Sequence, residues 1–194
     1  MTPGLWHGAP AMPQTPVVSI GCYPWPVPAI GSVLFLAWSE RGLTHAHWMR
    51  AEALIRPSGL AAEVPELPPP AAYAGLLERY FAAESVDPCA LPVDLAGTPF
   101  QLKVWNALRR IPRGRVRSYA GIANDISSPR AMRAVGMANG RNPIAVIVPC
   151  HRVIEKGGQL GGYSAGLERK RYLLHLEGVD VSADEVRPGQ LGLL

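Results

Sequence analysis

Cysteine is scarce in this sequence, and long apolar runs, internal repeats and glycine-rich phosphate loops are absent from it. No apolar run approaches the roughly 20 residues that a membrane-spanning helix needs. Residues 1–16 lack the basic and apolar segments of a secretory signal, so we expect a cytoplasmic protein. The three cysteines, Cys22, Cys89 and Cys150, are too few for a disulfide framework, which agrees with a reducing compartment.

Charge is modest in amount and uneven along the chain. Charged residues make up 18% and hydrophobic residues 48% of the 194 positions, as in an ordinary globular protein. The net charge is +4, and arginines concentrate in the second half. They include Arg109, Arg110, Arg113, Arg115, Arg117, Arg130, Arg133, Arg141 and Arg152. This pattern indicates a polyanionic partner, although a solvated basic surface without a partner is an alternative.

The first 29 residues are rich in proline and lack hydrophobic periodicity. Pro24, Pro26 and Pro28 exclude a regular helix or a central strand, because proline has no N–H group and fixes its own backbone. We therefore predict that residues 1–29 form a proline-rich extension, either disordered or lying on the surface. Residues 30–93 follow as a small α+β domain.

Two apolar runs in this N-terminal domain predict a β-hairpin. They cover residues 32–38 and 43–48, with a polar turn between them. A helix is predicted over residues 71–83, where apolar side chains recur at helical spacing. His45 and His47 would share one face of the second strand, but no recognised ligand spacing supports a metal site there.

The C-terminal domain, residues 94–180, is predicted to be mostly helical. Its first helix has a threonine at the N-cap, a proline at the first position and a glutamine placed for a capping box. Residues 119–126 and 130–139 predict two further helices joined by a tight turn, each with its own start and stop signals. This pair is a predicted helix-turn-helix.

The second helix of this motif has an unusual face. Ala131, Ala134 and Gly136 make the face smooth, while Arg130 and Arg133 project from it. Glycine costs a helix up to about 1 kcal/mol relative to alanine, so we expect something close-packed against Gly136. Two alternatives are open, tight packing within the protein and close approach to a nucleic acid.

Residues 144–153 combine an apolar run with two reactive side chains. The first five residues are apolar and mostly β-branched, which predicts a buried strand that ends at Pro149. Cys150 and His151 follow, and an imidazole can take the proton that keeps a thiol unreactive. Adjacent side chains of an extended chain point to opposite faces, so the pair cooperates only if the chain turns or a water bridges them. A structural cysteine beside an ordinary histidine is the alternative.

The rest of this domain supplies a loop, a helix and a tail. Glycine pairs flank a loop that carries Tyr163 and Ser164. The last helix ends near Glu177 and places Lys170 two turns before it on the same face. Residues 181–194 are predicted to be a loose tail. The predicted fold class is α+β, with a small N-terminal sheet-plus-helix domain and a mostly helical C-terminal domain containing the helix-turn-helix and a short active-site strand and loop.

Together these stretches resemble the O6-alkylguanine-DNA alkyltransferases, also called methylated-DNA–protein-cysteine methyltransferases. The resemblance covers about residues 94–178 in the order of the family, and the Pro-Cys-His-Arg-Val block is its most specific part. The matching stretches are Gly97-Thr98-Pro99-Phe100-Gln101, Val104-Trp105, Ile111-Pro112, Ser118-Tyr119, Arg133-Ala134-Val135-Gly136, Asn142-Pro143, Pro149-Cys150-His151-Arg152-Val153, Gly162-Tyr163-Ser164 and residues 173–178. The N-terminal half matches only in general character.

The resemblance implies a repair protein that flips an alkylated guanine out of the duplex and transfers the alkyl group to its own cysteine, once per molecule. Cys150 would be the acceptor, and His151 would be the base that ionises it through a water. Glu177 would orient His151, which makes a nucleophile–base–orienter chain. Asn142 would belong to the hinge between the helix-turn-helix and the active-site loop.

The same resemblance implies how the protein binds DNA and recognises the base. The second helix would enter the minor groove, and Arg133 would fill the gap that the flipped base leaves. The DNA-binding residues so implied are Tyr119, Arg130, Ala131, Arg133, Ala134 and Gly136. The pocket residues so implied are Tyr119, as proton donor to the departing guanine, with Val153, Tyr163, Ser164 and Lys170.

The resemblance also implies partners and alternatives. We expect a monomer that binds double-stranded DNA carrying O6-alkylguanine, acts also on O4-alkylthymine, associates with the nucleoid, and uses no cofactor, no metal and no membrane. One alternative is a non-catalytic sensor of alkylated DNA, which the presence of Cys150 disfavours. A larger adaptive regulator would carry a cysteine-rich zinc module, and a cysteine hydrolase would have its histidine far from the cysteine in sequence.

Overall fold

The computed structural model of the chain describes residues 19–50, 64–182 and 184–186. The first 18 residues of the predicted extension and the last eight residues of the predicted tail lie outside this description. Within the described ranges, no helix has the length and apolar character needed to cross a membrane.

An antiparallel sheet of three strands begins the described chain. Its strands are β1 (Gly21–Val27), β2 (Ser32–Ser39) and β3 (Gly42–Arg50), and they lie in this order across the sheet. The pairing of β2 with β3 confirms the predicted hairpin. β2 is the central strand and is the most deeply buried of the three.

The prediction that residues 1–29 form an extension was wrong for β1. β1 is an edge strand whose ladder partner is β2. The backbone N–H of Cys22 donates to Pro65 O at 3.0 Å, so the backbone N–H groups at even-numbered positions of β1 point away from β2. Pro24 and Pro26 occupy such positions, where a missing N–H group removes no bond to β2. The prolines exclude a central strand, and β1 is compatible with them because it lies at the edge.

Five α-helices follow the sheet within the described residues. They are α1 (Ala71–Phe81), α2 (Pro99–Leu108), α3 (Tyr119–Asp125), α4 (Met132–Gly140) and α5 (Leu167–Leu176). The capping box of α2 is present, since Gln101 N donates to Thr98 Oγ1 at 3.2 Å and Thr98 N donates to Gln101 Oε1 at 2.8 Å. α3 and α4 pack against each other and against α2, which confirms the predicted helix-turn-helix.

One hydrophobic core joins the two halves of the chain. Leu36 of β2, Leu77 of α1 and Leu108 of α2 are fully buried in this core, and Cys150 belongs to it as well. The N-terminal sheet is therefore packed onto the part of the chain that carries the reactive cysteine.

The predicted strand over residues 144–148 is wrong, although its predicted burial is right. Ile144 makes only an isolated bridge to Ala46 of β3, and the chain then turns. Val146 has a φ of 72°, and Val148 N donates to Ile144 O at 2.8 Å, as in a helical turn. An apolar run predicts burial, whereas the backbone groups can be satisfied by turns as well as by a ladder.

Two small sheets complete the described part of the fold. They are formed by β4 (Arg117–Ser118) with β5 (Val153–Ile154), in parallel, and by β6 (Val181–Ser182) with β7 (Glu185–Val186), antiparallel. The prediction of a loose tail was wrong for β6 and β7. Val181 and Val186 are buried in a second cluster with Ile154, so this part of the tail closes the core behind β5.

Candidate active site and DNA-binding face

Cys150 begins a single 3-10 turn, Cys150–Arg152, directly after the buried turns. The chain therefore bends between Cys150 and His151, which is one of the two conditions under which the pair can cooperate. Cys150 is buried, and its Sγ accepts a hydrogen bond from Asn142 Nδ2 at 3.0 Å. Burial raises the pKa of the Cys150 thiol, while the Asn142 hydrogen bond and the Lys170 charge act to lower it.

Asn142 lies between the end of α4 and the buried turns. Its Nδ2 also donates to Val148 O at 2.7 Å, and its Oδ1 accepts from Ile144 N at 3.0 Å. One side chain thus fixes the path of the buried turns and contacts the nucleophile. This geometry is what the predicted hinge role of Asn142 requires.

His151 and Glu177 form a buried pair behind the thiol. Both side chains have no exposed surface, and His151 Nε2 lies 3.0 Å from Glu177 Oε1. Burial lowers the pKa of His151 despite the nearby Glu177 carboxylate, so the resting imidazole is neutral and can accept a proton. His151 Nδ1 is buried and has no hydrogen-bond partner among the described residues, so it is the ring atom left for that proton.

Sequence reasoning missed a buried ion network behind His151. Arg152 is fully buried, and its guanidinium donates to both carboxylate oxygens of Glu177 at 2.8 Å. It also donates to Asp87 at 3.0 and 3.2 Å, and Tyr80 Oη donates to Glu177 at 2.7 Å. Burial alone would raise the pKa of Glu177, but His151 and Arg152 hold it well below its usual range. The only sequence signal at Asp87 is that of a helix stop.

Several arginines of the second half are bound within the protein, so the basic surface is narrower than composition indicates. Besides Arg152, Arg109 and Arg113 donate to backbone carbonyls, and Arg117 forms an ion pair with Asp125 at 2.7 Å. The exposed members of the set are Arg110, Arg115, Arg130, Arg133 and Arg141.

Lys170 and Val153 support the active-site loop from within. Lys170 is fully buried, and its Nζ donates to Val153 O at 2.6 Å and also to the carbonyls of Leu160 and Gly162. Burial lowers the pKa of Lys170 to about 8, and a thiolate at Cys150 would oppose this shift. Neither residue is among those that line the cavity at Cys150, although Val153 was expected to line the pocket, and the supporting role of Lys170 stays a prediction.

A cavity of about 260 Å³ includes Cys150 in its wall. Tyr163 and Ser164 of the loop, Tyr119 of α3 and Asn139 of α4 also line it. Three of these residues are predicted pocket residues, whereas Asn139 had no sequence signal. The cavity is smaller than the roughly 300–1,000 Å³ of drug-sized ligand sites, so its size suits a single base.

The exposed face of α4 is open. An added Cβ at Gly136 would meet Tyr119 as its nearest neighbour at 3.9 Å, an ordinary contact. Packing within the described residues therefore does not explain this glycine, and close approach by a partner is the alternative that remains. The other predicted DNA-binding residues lie on or just before α4, with Arg130 and Arg133 exposed and Ala131 and Ala134 half-buried.

A second cavity, of about 390 Å³, lies beside this face. Met132 and Arg133 of α4 form one part of its wall, and Glu155 and Lys156 form another. It shares Tyr119 and Gly136 with the cavity at Cys150, so the two spaces adjoin at these residues.

His45 and His47 lie side by side on β3, with ring centroids 5.8 Å apart. Across residues 19–50, 64–182 and 184–186, no group of three histidine, cysteine, aspartate or glutamate side chains could hold a metal ion. That the protein uses no metal therefore stays a prediction.

These features define a class of protein: a helix-turn-helix protein with a buried cysteine, backed by histidine and glutamate, at a base-sized cavity. Residues 99–179 match the family model described as 6-O-methylguanine DNA methyltransferase, DNA binding domain. The chain is 48% identical over 151 residues to the methylated-DNA–protein-cysteine methyltransferase of Methanosarcina acetivorans, across 77% of this chain and 93% of the relative. It is 52% identical over 120 residues to that of Mycobacterium tuberculosis, across 60% and 72%.

Solved structures agree with these sequence matches. Mycobacterium tuberculosis OGT in complex with DNA is similar with a TM-score of 0.69 and 42% identity, across 81% of this chain and 92% of that one. The chain therefore belongs to the methylated-DNA–protein-cysteine methyltransferase family. The family, the α+β fold class and the enzyme class predicted from the sequence are confirmed.

Proposed function

We propose that this protein repairs DNA by moving an alkyl group from O6 of guanine, or from O4 of thymine, onto Cys150 Sγ. The observation that carries the proposal is the position of Cys150, in the wall of a base-sized cavity and next to a buried histidine–glutamate pair. A thioether is a poor leaving group, and the chain has no cofactor motif that would accept the alkyl group. The protein should therefore act once per molecule.

The transfer breaks the bond between O6 and the alkyl carbon and forms a carbon–sulfur bond. The Cys150 proton would pass through a water to His151 Nδ1, and the Glu177 carboxylate would stabilise the imidazolium. Asn142 Nδ2 donates to Sγ and so favours the thiolate. The departing guanine would take a proton from the hydroxyl of Tyr119, a residue that lines both cavities.

The α4 face would enter the minor groove of duplex DNA. Ala131, Ala134 and Gly136 have side chains small enough for the helix to approach the groove floor. Arg133 is exposed and would replace the flipped base, while Arg130 would contact a phosphate. The protein would act as a monomer, in the cytoplasm and on nucleoid DNA.

The test is intact-mass analysis after the protein is mixed with an excess of duplex carrying one O6-methylguanine. We expect the mass to rise by one methyl group per protein and no more, and peptide mapping to place that group on Cys150. An unchanged mass with retained DNA binding would replace this proposal with a sensor function.

A further inference from the structure

The loop that lines part of the Cys150 cavity is tied to the N-terminal sheet through one arginine. Arg169 lies in the first turn of α5, just after the loop that carries Tyr163 and Ser164. Its Nη1 donates to Ala165 O at 2.7 Å, and its Nη2 and Nε donate to Ser32 Oγ at 3.0 and 3.2 Å. The two partners Ser32 and Arg169 are 137 positions apart in the chain. Ser32 begins β2 and is buried, so the arginine is anchored on the central strand.

Trp48 of β3 contacts the same arginine. The Arg169 guanidinium lies over the Trp48 ring, 5.9 Å from its centroid, in a cation–π contact. Trp48 Nε1 and Tyr163 Oη are both buried, and neither has a hydrogen-bond partner of ordinary geometry within the described ranges. Burial raises the pKa of Tyr163 well above its usual value, whereas the Trp48 side chain acts to lower that pKa.

We propose that Ser32, Trp48 and Arg169 form a clamp by which the N-terminal sheet sets the position of the pocket loop, and with it the fit of the alkylated base. The inference rests on the proposed alkyl transfer. The three residues are positioning residues, since they act on the cavity through Tyr163 and its neighbours. Gly161 and Gly166, at the two ends of the loop, have φ values of 64° and 92°. Because glycine restricts the backbone conformation very little, the loop depends on contacts from outside to hold its position.

Ser32 is itself held in place for this contact. Its Oγ donates to Ile30 O at 3.1 Å, so its lone pairs are turned toward Arg169 as acceptors. Arg171, two positions later on α5, offers a matched comparison. It forms an ion pair with Asp184 that is about half exposed and does not include the pocket loop.

The test compares Arg169→Met with Arg171→Met in the full chain, using two reactions of Cys150. O6-benzylguanine must fit the cavity before it reacts, whereas iodoacetamide needs only an ionisable thiol. We expect Arg169→Met to raise the half-saturating concentration of O6-benzylguanine about tenfold, as for the loss of a charge-assisted hydrogen bond. The rate with iodoacetamide should stay at the wild-type value, and Arg171→Met should change neither reaction.

Conservative variants separate positioning from folding. Arg169→Lys keeps the charge over Trp48 and one hydrogen bond, so it should recover part of the lost affinity, and melting curves show that each variant is folded. If Arg169→Met does not fold, Trp48→Phe with Trp25→Phe as its control makes the same comparison. A folded Arg169→Met with wild-type O6-benzylguanine kinetics, or with equal losses in both reactions, would overturn the clamp alone. A wild-type protein that reacts with neither O6-benzylguanine nor methylated duplex would overturn the proposed function as well.

Discussion

Cys150 is held as a thiol whose reactivity depends on its neighbours. Burial raises its pKa, while the hydrogen bond from Asn142 and the charge of Lys170 act in the opposite direction. Burial also keeps His151 neutral, so the thiol has a proton acceptor beside it on the same turn. The resting pair is therefore uncharged, and charge develops only when the thiol reacts.

Replacing the nucleophile should separate chemistry from binding. Cys150→Ala should abolish methyl transfer while DNA binding persists, because the thiol does the chemistry whereas the proposed DNA contacts come from other side chains, on α3 and α4. Cys89→Ala is the matched control, since burial raises the pKa of Cys89 to about 12 and makes it a poor nucleophile at neutral pH. Transfer is followed by mass and binding by gel shift. Methyl transfer by Cys150→Ala would show that another residue is the acceptor.

The Glu177 carboxylate should set the pH dependence of the transfer. Glu177→Gln should slow single-turnover transfer about tenfold or more. The acid limb of the pH–rate profile of this variant should move to lower pH, because Glu177 raises the pKa of His151 against the effect of burial. The measurement is the transfer rate with methylated duplex across pH.

Asp87→Asn is the control for this variant. Asp87 binds the same guanidinium of Arg152 but has no bond to His151. Leaving a buried charge with one partner fewer costs about 3–5 kcal/mol, so both variants should be less stable. Only Glu177→Gln should change the pH profile of the transfer rate. An equal change in Asp87→Asn would show that Glu177 has no specific role in the proton transfer to His151.

At the scale of elements, α4 is a helix built for an external partner. Gly136 lowers its intrinsic stability without any packing need in the described protein. Met132 and Met137 are 49% and 60% exposed, although large apolar side chains are normally buried. Together with the exposed Arg133, they give one surface of α4 both apolar area and positive charge, which marks an interaction site.

Arg133 should matter only where a base must leave the duplex. Arg133→Ala should slow repair of methylated duplex roughly 100-fold, because flipping a base costs a few kcal/mol. Reaction with free O6-benzylguanine should be almost unchanged, since that substrate needs no flipping. Arg110→Ala, which removes an exposed charge from outside α4, is the control and should spare both reactions. Equal losses on both substrates in Arg133→Ala would contradict the base-replacing role.

At the scale of the whole molecule, the buried ion network couples the two halves of the chain. Tyr80 and Asp87 come from the N-terminal half, and Arg152 and Glu177 come from the C-terminal half. Burial acts to raise the pKa of each carboxylate, but Arg152 lowers the pKa of Asp87, and His151 together with Arg152 lowers the pKa of Glu177. Protonation at this network therefore bears on the stability of the whole fold.

The free energy of unfolding should fall in two stages as the pH is lowered. The pKa of His151 lies below its usual 6.5, so below that pH the unfolded chain takes up a proton that the folded protein does not. Glu177 acts in the same way below its usual 4.5. Each such group changes the free energy of unfolding by up to about 1.4 kcal/mol per pH unit. Urea unfolding at a series of pH values measures both slopes.

Variants assign the lower slope to one residue. Glu177→Gln should flatten the dependence below pH 4.5, because the glutamine cannot titrate. Glu84→Gln is the control, since Glu84 pairs with Arg79 at the surface, where both side chains are about half exposed. If wild type and Glu177→Gln have the same slope below that pH, Glu177 is not the group that titrates.

The sequence by itself determined the features whose signals lie within a few residues. Thr98 and Gln101 cap α2 from three positions apart, and the helices of the helix-turn-helix begin and end within two residues of the prediction. The hairpin of β2 and β3 follows from two apolar runs around a short polar turn. The family, and with it the choice of Cys150, follows from a block of adjacent residues. Local geometry is enough to produce such signals.

Only the tertiary structure decided features whose partners are distant in the chain. Arg152 resembles a surface cation in sequence, but it is buried because the carboxylates of Glu177 and Asp87 bind it. These two partners lie 25 and 65 positions away in the chain. Residues 144–148 are apolar enough for a strand, yet β3 offers them one bridge and the backbone turns instead. β1 accepts its prolines because, within the described residues, only Cys22 makes a bridge on the side away from β2, and Pro24 and Pro26 face no strand there. Burial of a charge and pairing of a strand depend on what lies opposite in space, which no local pattern encodes.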